Sequence, residues 1–218
     1  MSVKHKAKGK NYRARNKNDH SDYFPTFWAL TRLLLEKRVF GKDDLFLEPC
    51  AGAGDITKVL NENGYDNVFE IDINPRREGI KKLDFLESKD IAPVSHIITN
   101  PPFKMSVEFM CKCAEVATDT IIMLWPLDYL HGVERFTKFY DQGVNGFHLS
   151  VVYPFVRRPL FDAKYHPGGK MPTGATSFAW FEFQKMSYSK PPIIEWIHNN
   201  DEMGQPTMAD ELLLWEGE

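Results

Sequence analysis

Asn100-Pro101-Pro102-Phe103 is the segment of this chain best equipped to handle a flat group that bears an amine. Asn100 offers a side-chain carbonyl and Pro101 a backbone carbonyl, and both accept hydrogen bonds. Two successive prolines fix the chain so that both acceptors aim at one point. Phe103 adds a ring on which a planar heterocycle can stack. The lone pair of an exocyclic amino nitrogen is conjugated with its ring and poorly available for attack. Acceptors on both of its hydrogens pull the nitrogen toward a tetrahedral shape. Once alkylated, the nitrogen is acidic and needs no strong base. Proximity and orientation then supply much of the rate.

A second segment stands earlier, at Leu47-Glu48-Pro49-Cys50-Ala51-Gly52-Ala53-Gly54-Asp55. A strand that runs into Gly-x-Gly makes a tight turn, and the missing Cβ atoms let a nucleoside approach the backbone. The spacing is not that of a dinucleotide fingerprint. Glu48, just before the turn, can meet an ammonium group directly or through water. An acid at the end of the next strand is expected to accept from ribose hydroxyls. Glu70 and Asp72 are both candidates, since residues two apart on a strand face the same side. Asp72 is preferred because it lies nearer the carboxyl end, before Asn74-Pro75.

The acid-Pro-x-x-Gly-x-Gly turn and the strand ending in Asn-Pro-Pro-Phe together resemble the class I S-adenosylmethionine-dependent amino-methyltransferases of the Asn-Pro-Pro-Phe type. Among these the chain is most similar to small phage and bacterial DNA adenine N6 methyltransferases, over roughly residues 21 to 197. The resemblance implies S-adenosyl-L-methionine as cofactor, held by Glu48, Pro49, Ala51, Gly52 and Gly54 at the turn. It places Tyr23 and Thr26 over the methionine end, although this chain has Pro25-Thr26 where the family often has Thr-Pro. It implies that Asp84 accepts from the cofactor's adenine amino group and that the Phe85 backbone N–H donates to the ring. Asn100, Pro101, Pro102 and Phe103 become the transfer site. Phe at the fourth position favours adenine over a glutamine side chain, with cytosine N4 behind.

A target base in a duplex must leave its helix, so a second aromatic face is expected. Tyr153-Pro154-Phe155-Val156-Arg157-Arg158-Pro159-Leu160-Phe161 resembles the loop that supplies it in those enzymes. Phe155 or Phe161 would stack on the base, while Arg157, Arg158, Lys164 and Lys170 would meet phosphates. The plainer alternative packs both phenylalanines in the core and leaves the arginines on a solvated rim. Phe178-Ala179-Trp180-Phe181 and the segment from Pro192 to Ile197 continue the likeness.

These residues need a scaffold. Pro25 opens a helical pattern through Phe27, Leu30, Leu34 and Leu35 that Gly41 ends. Strands are expected at Asp44–Leu47, Val68–Ile73, Leu83–Leu86, His96–Thr99 and Thr120–Leu124. Helices are expected at Asp55–Asn63, Ser106–Ala117 and Val133–Tyr140. Phe147–Tyr153 and Thr176–Phe183 alternate like strands, separated by a Pro/Gly-rich basic loop from Pro154 to Gly174. Strands alternating with helices predict an α/β fold, a Rossmann-like, doubly wound and mostly parallel sheet with an antiparallel hairpin at one edge.

The 218 residues suit one such domain, at 21–198. Net charge is −3 and reveals no partner, but its distribution does. Residues 1–20 form a basic arm with Lys4, Lys6, Lys8, Lys10, Arg13, Arg15 and Lys17, expected to be disordered without a partner. Residues 199–218 form an acidic tail. The arm suits phosphate contacts, so nucleic acid is the expected partner, DNA ahead of RNA. No separate recognition domain is evident, which implies relaxed sequence preference or a protein partner that supplies recognition. No stretch is apolar enough to span a bilayer, and there is no signal-peptide h-region. Three cysteines without framework spacing point to a reducing cytosol, bacterial or phage host. Cys111-x-Cys113 has the wrong spacing for a zinc knuckle. Two other functions compete: an RNA adenine methyltransferase, and a methyltransferase-like module that binds nucleic acid without turnover.

Overall fold

The computed structural model describes residues 26–159, 175–187 and 190–199. The basic arm, the acidic tail beyond Asn199, Tyr23, Phe161, Lys164 and Lys170 lie outside the described residues. The elements run α1 (Trp28–Lys37), β1 (Phe46–Glu48), α2 (Asp55–Glu62), β2 (Val68–Asp72), β3 (Lys81–Lys82), β4 (Val94–Thr99), α3 (Ser106–Val116), β5 (Ala117–Pro126), α4 (Val133–Arg135), β6 (Phe147–Pro154), β7 (Phe178–Lys185) and β8 (Ile193–Ile194). They build one eight-stranded sheet of order β3-β2-β1-β4-β5-β7-β6-β8. Strands β1 to β5 pair in parallel, and β7 is antiparallel to both β5 and β6. The short β8 pairs in parallel with β6, so the hairpin is one strand in from the edge.

Both faces of the sheet are covered, which explains why the central strands read as unbroken apolar runs. Along β5, Ile121, Met123 and Trp125 enter one core, with α3, Phe139, Phe181 and Phe183. Ile122 and Leu124 enter the other, with α1, α2, Phe46 and Trp180. The alternation is the period of two of a pleated strand. Each such side chain contributes about 1.5–3 kcal/mol on burial. Among the described residues no helix is long and apolar enough to cross a membrane.

Three expected elements move. Helix α1 stops at Lys37 rather than near Gly41, because Arg38 turns extended and its guanidinium reaches the fully buried Glu182 on β7, 3.1 Å away. The third strand is Lys81–Lys82, not Leu83–Leu86. As an edge strand it exposes its side chains, while Phe85 folds inward from a turn onto Phe109. The helix expected at Val133–Tyr140 is one α-turn followed by a π-helical turn over Phe136–Asp141, with Phe139 buried.

Candidate active site

Neighbouring strands β1 and β4 bring the two motifs together at their carboxyl ends. Glu48, the last residue of β1, is 1 % exposed. Its Oε1 accepts from the Cys50 N–H at 3.0 Å and from the Thr99 hydroxyl at 2.6 Å. Its Oε2 is buried with no hydrogen-bond partner among the described residues. Burial pushes the Glu48 carboxyl up to about 8, against the pull of the Thr99 and Cys50 hydrogen bonds. Thr99 precedes Asn100, so the acid and the Asn-Pro-Pro-Phe turn are locked side by side. Nothing in the sequence marks this bond, since Thr99 reads as one more β-branched strand residue.

Pro49 and Ala51 are buried at the start of the turn. Gly52 has φ 55, a left-handed conformation that glycine adopts without penalty. Its N–H donates to Asp72 Oδ2 at 2.7 Å, and Asp72 Oδ1 accepts from the Asn74 N–H at 2.7 Å. Asp72 thus stands against the turn at the end of β2. Glu70 does not. Its carboxylate is gripped by Arg77 Nη2 at 2.7 and 2.6 Å, and Arg77 Nε also donates to the Ala53 carbonyl. The Glu70 oxygens thus pair with a guanidinium on the flank of the turn, whereas Asp72 meets the backbone of the turn itself. It also explains Gly54, whose φ is 86. A Cβ there would fall 2.7 Å from Arg77 Nη2 and 2.8 Å from Glu70 Oε1, so a side chain at Gly54 would displace the ion pair.

Asp84 shapes its own turn. Its Oδ1 accepts from the Leu86 and Glu87 N–H groups at 3.0 and 3.4 Å. Phe85 is 2 % exposed and its ring stacks at 5.8 Å on Phe109 of α3.

Asn100 is half-buried, and its Nδ2 donates to Thr26 Oγ1 at 3.1 Å. Thr26, itself buried, is therefore brought to the Asn-Pro-Pro-Phe turn from the segment before α1. Pro101 is buried and Pro102 half-buried, with extended ψ 122 leading into a 3-10 turn over Phe103–Met105. The Phe103 ring lies 5.6 Å from that of Phe178 at the start of β7. Its carbonyl accepts from the Tyr129 hydroxyl at 2.7 Å. Phe178 belongs to a segment that continues the family likeness, but its contact with Phe103, like that of Tyr129, is not legible in the sequence, because both residues lie beyond β5, far along the chain from the motif.

Phe155 does not face the site openly. It is 6 % exposed within the core shared with α1, and it bridges to Ile197. Buried packing removes it from the base-stacking candidates. Arg157 and Arg158 are exposed just after β6. The backbone there is clipped by Asn199, whose Oδ1 accepts from the Arg157 N–H at 2.8 Å while its Nδ2 donates to the Arg157 carbonyl at 2.9 Å. Cys111 and Cys113 lie on α3 and face differently, Cys113 fully buried and Cys111 half-buried.

No protein-family model matches the chain, and no curated protein matches its sequence. Solved structures do match. A protein assigned as a class I S-adenosylmethionine-dependent methyltransferase from Listeria monocytogenes is 13% identical, with a TM-score of 0.55, covering 88% of this chain and 69% of that one. A protein assigned as a hemolysin from Lactococcus lactis is 11% identical, with a TM-score of 0.54, covering 81% of this chain and 94% of that one. The M protein of the type I restriction enzyme EcoKI is 14% identical, with a TM-score of 0.53; the match covers 87% of this chain and 53% of that one. At such identities the likeness speaks for architecture, and the architecture is the Rossmann-like fold of class I methyltransferases.

Proposed function

We propose that this protein is an S-adenosylmethionine-dependent methyltransferase acting on the exocyclic N6 amino group of adenine in nucleic acid, DNA ahead of RNA, with relaxed sequence preference. The observation that carries this reading is the 2.6 Å bond from Thr99 to Glu48. It sets an acid suited to the cofactor one residue from Asn100, on the adjoining strand.

The residues present fit the cofactor. Glu48 Oε2 is a buried acceptor without a partner among the described residues, and the methionine end of the cofactor carries an ammonium. Gly52 keeps the turn close, and Asp72 stands where ribose hydroxyls would lie. Asp84 and the Phe85 N–H are the residues proposed for the adenine end. When bound, S-adenosylmethionine supplies a methyl group on a sulfonium, activated for displacement.

The rest is work for the protein. Asn100 Oδ1 and the Pro101 carbonyl would hold the two amino hydrogens and bring the nitrogen toward the tetrahedral shape that frees its lone pair for attack. With the cofactor bound, its methyl group would pass from sulfur to this nitrogen, S-adenosylhomocysteine would leave as product, and the surplus proton would go to water. Phe103, backed by Phe178, offers the stacking face. Arg157 and Arg158 meet phosphates at the rim. RNA is the second reading, since the site grips the base and both polymers carry it. A binding module without turnover is disfavoured, since such a module has no need of both carbonyl acceptors.

Asn100→Ala tests the mechanism. Transfer of labelled methyl to adenine N6 is expected to fall by about 10²-fold or more, with S-adenosylmethionine still bound. Undiminished transfer in that variant would overturn the assignment.

A further inference from the structure

We propose that Tyr129 is a positioning residue for the transfer, holding the Phe103 peptide and with it the stacking face of the site; this rests on the methyltransferase reading above. Tyr129 belongs to the 3-10 turn Leu127–Leu130 that leaves β5. Its hydroxyl donates to the Phe103 carbonyl at 2.7 Å. A carbonyl can only accept, so the direction of the bond is unambiguous. It ties the loop after β5 to the loop after β4.

Tyr129 is itself held from several sides. The Arg135 guanidinium lies over its ring, 4.2 Å from the centroid. Arg135 Nε donates to the Tyr129 carbonyl at 3.2 Å, and the Tyr140 hydroxyl donates to the same oxygen at 2.8 Å. The Trp125 ring lies 5.8 Å from its ring. Gly132 permits this arrangement: its φ is 117, and a Cβ would stand 2.9 Å from Arg135 Nη2. The site therefore grips Phe103 twice. Phe178 packs on the ring, and Tyr129 fixes the peptide.

Losing the hydroxyl leaves the fold intact but frees the Phe103 peptide to rotate. A stacked base would then sit at a less certain angle to Asn100 and Pro101. Transfer depends steeply on such placement, whereas cofactor binding at Glu48 and Asp72 does not.

Tyr129→Phe keeps the ring and its contact with Arg135. Three quantities decide the matter: the single-turnover methylation rate at saturating substrates, the Kd for S-adenosylmethionine, and amide exchange across Phe103–Met105. The rate is expected to fall about tenfold, the equivalent of one hydrogen bond lost at the transition state. The Kd is expected to stay constant, with faster exchange at Phe103–Met105 and unchanged exchange in β5. Arg135→Ala is expected to shift rate and exchange in the same direction. An unchanged rate in Tyr129→Phe overturns the proposal, as does unchanged exchange, or a rate loss matched by a loss of cofactor affinity. Failure of the wild-type protein to methylate any nucleic acid refutes the underlying reading instead, and is seen before any substitution is made.

Discussion

The proposed contact between Glu48 and the ammonium of the cofactor predicts a pH dependence of binding that can be worked out beforehand. Its carboxyl is raised from an ordinary 4.5 to about 8 because the group is buried. Near pH 7 the empty protein therefore holds it mostly neutral. An ammonium beside Oε2 favours the ionised form, so binding below pH 8 must expel this proton. Affinity should rise close to tenfold per pH unit, or ~70-fold from pH 5.5 to 7.5. An α-amino group begins to lose its own proton only at the top of that window, which trims the rise slightly near pH 7.5. Titration calorimetry in two buffers of different ionisation enthalpy would show nearly one proton released at pH 6.5. In Glu48→Gln the pH dependence should vanish, and affinity at pH 7.5 should fall by about 10–100-fold, as for a lost hydrogen bond to a charge. The unliganded protein should respond in the opposite sense. The folded state holds its proton more tightly than the unfolded state, so the benefit is full below pH 4.5 and lost as pH rises through about 8. Glu48→Gln should thus raise thermal stability at pH 9 relative to wild type and leave it unchanged at pH 4. Flat affinity between pH 5.5 and 7.5, with no proton released, would refute the reasoning.

Gly54→Ala places a side chain at φ 86 and against the Arg77–Glu70 pair. A cost of about 1–2 kcal/mol should appear as a melting temperature lower by roughly 2–8 °C in a thermal scan. Replacing Arg157 and Arg158 together by Ala should weaken nucleic-acid binding alike across sequences. It should lower the slope of log affinity against log salt by about 1.8, roughly 0.9 for each phosphate released, in filter-binding titrations.

The strands that carry the site were legible because their chemistry is local. An acid, a proline and two glycines mark the turn after β1, and Asn-Pro-Pro marks the end of β4. What the residues could not announce is which strands lie side by side. The contact between Thr99 and Glu48 follows from the order β1-β4, which arises from the path of the whole chain. The missed contacts share this origin. Tyr129 and Phe178 reach Phe103 from the far side of β5. Thr26 reaches Asn100 from the segment before α1, although its nearness to the site was expected. The Glu70–Arg77 pair was not legible either, since it joins residues seven apart across a turn rather than along a helix. β3 was misplaced because an edge strand of two lysines has no apolar signal, while Phe85 beside it has one and uses it in a turn. Phe155 lies in a region that reads equally as loop and as strand end; burial decided it. Glu182 shows the same limit: nothing in its own strand announces that Arg38 and Tyr153 meet its carboxylate inside the fold.

The most direct test of the account offers labelled S-adenosylmethionine to the wild-type protein with duplex DNA, single-stranded DNA and structured RNA. Each polymer is then digested and its modified nucleoside identified by mass spectrometry. The account predicts N6-methyladenine, in DNA above RNA. Label in RNA alone would keep the active site and overturn the choice of polymer. Label on any atom other than an adenine amino group, or on no polymer despite bound cofactor, would contradict the central claim.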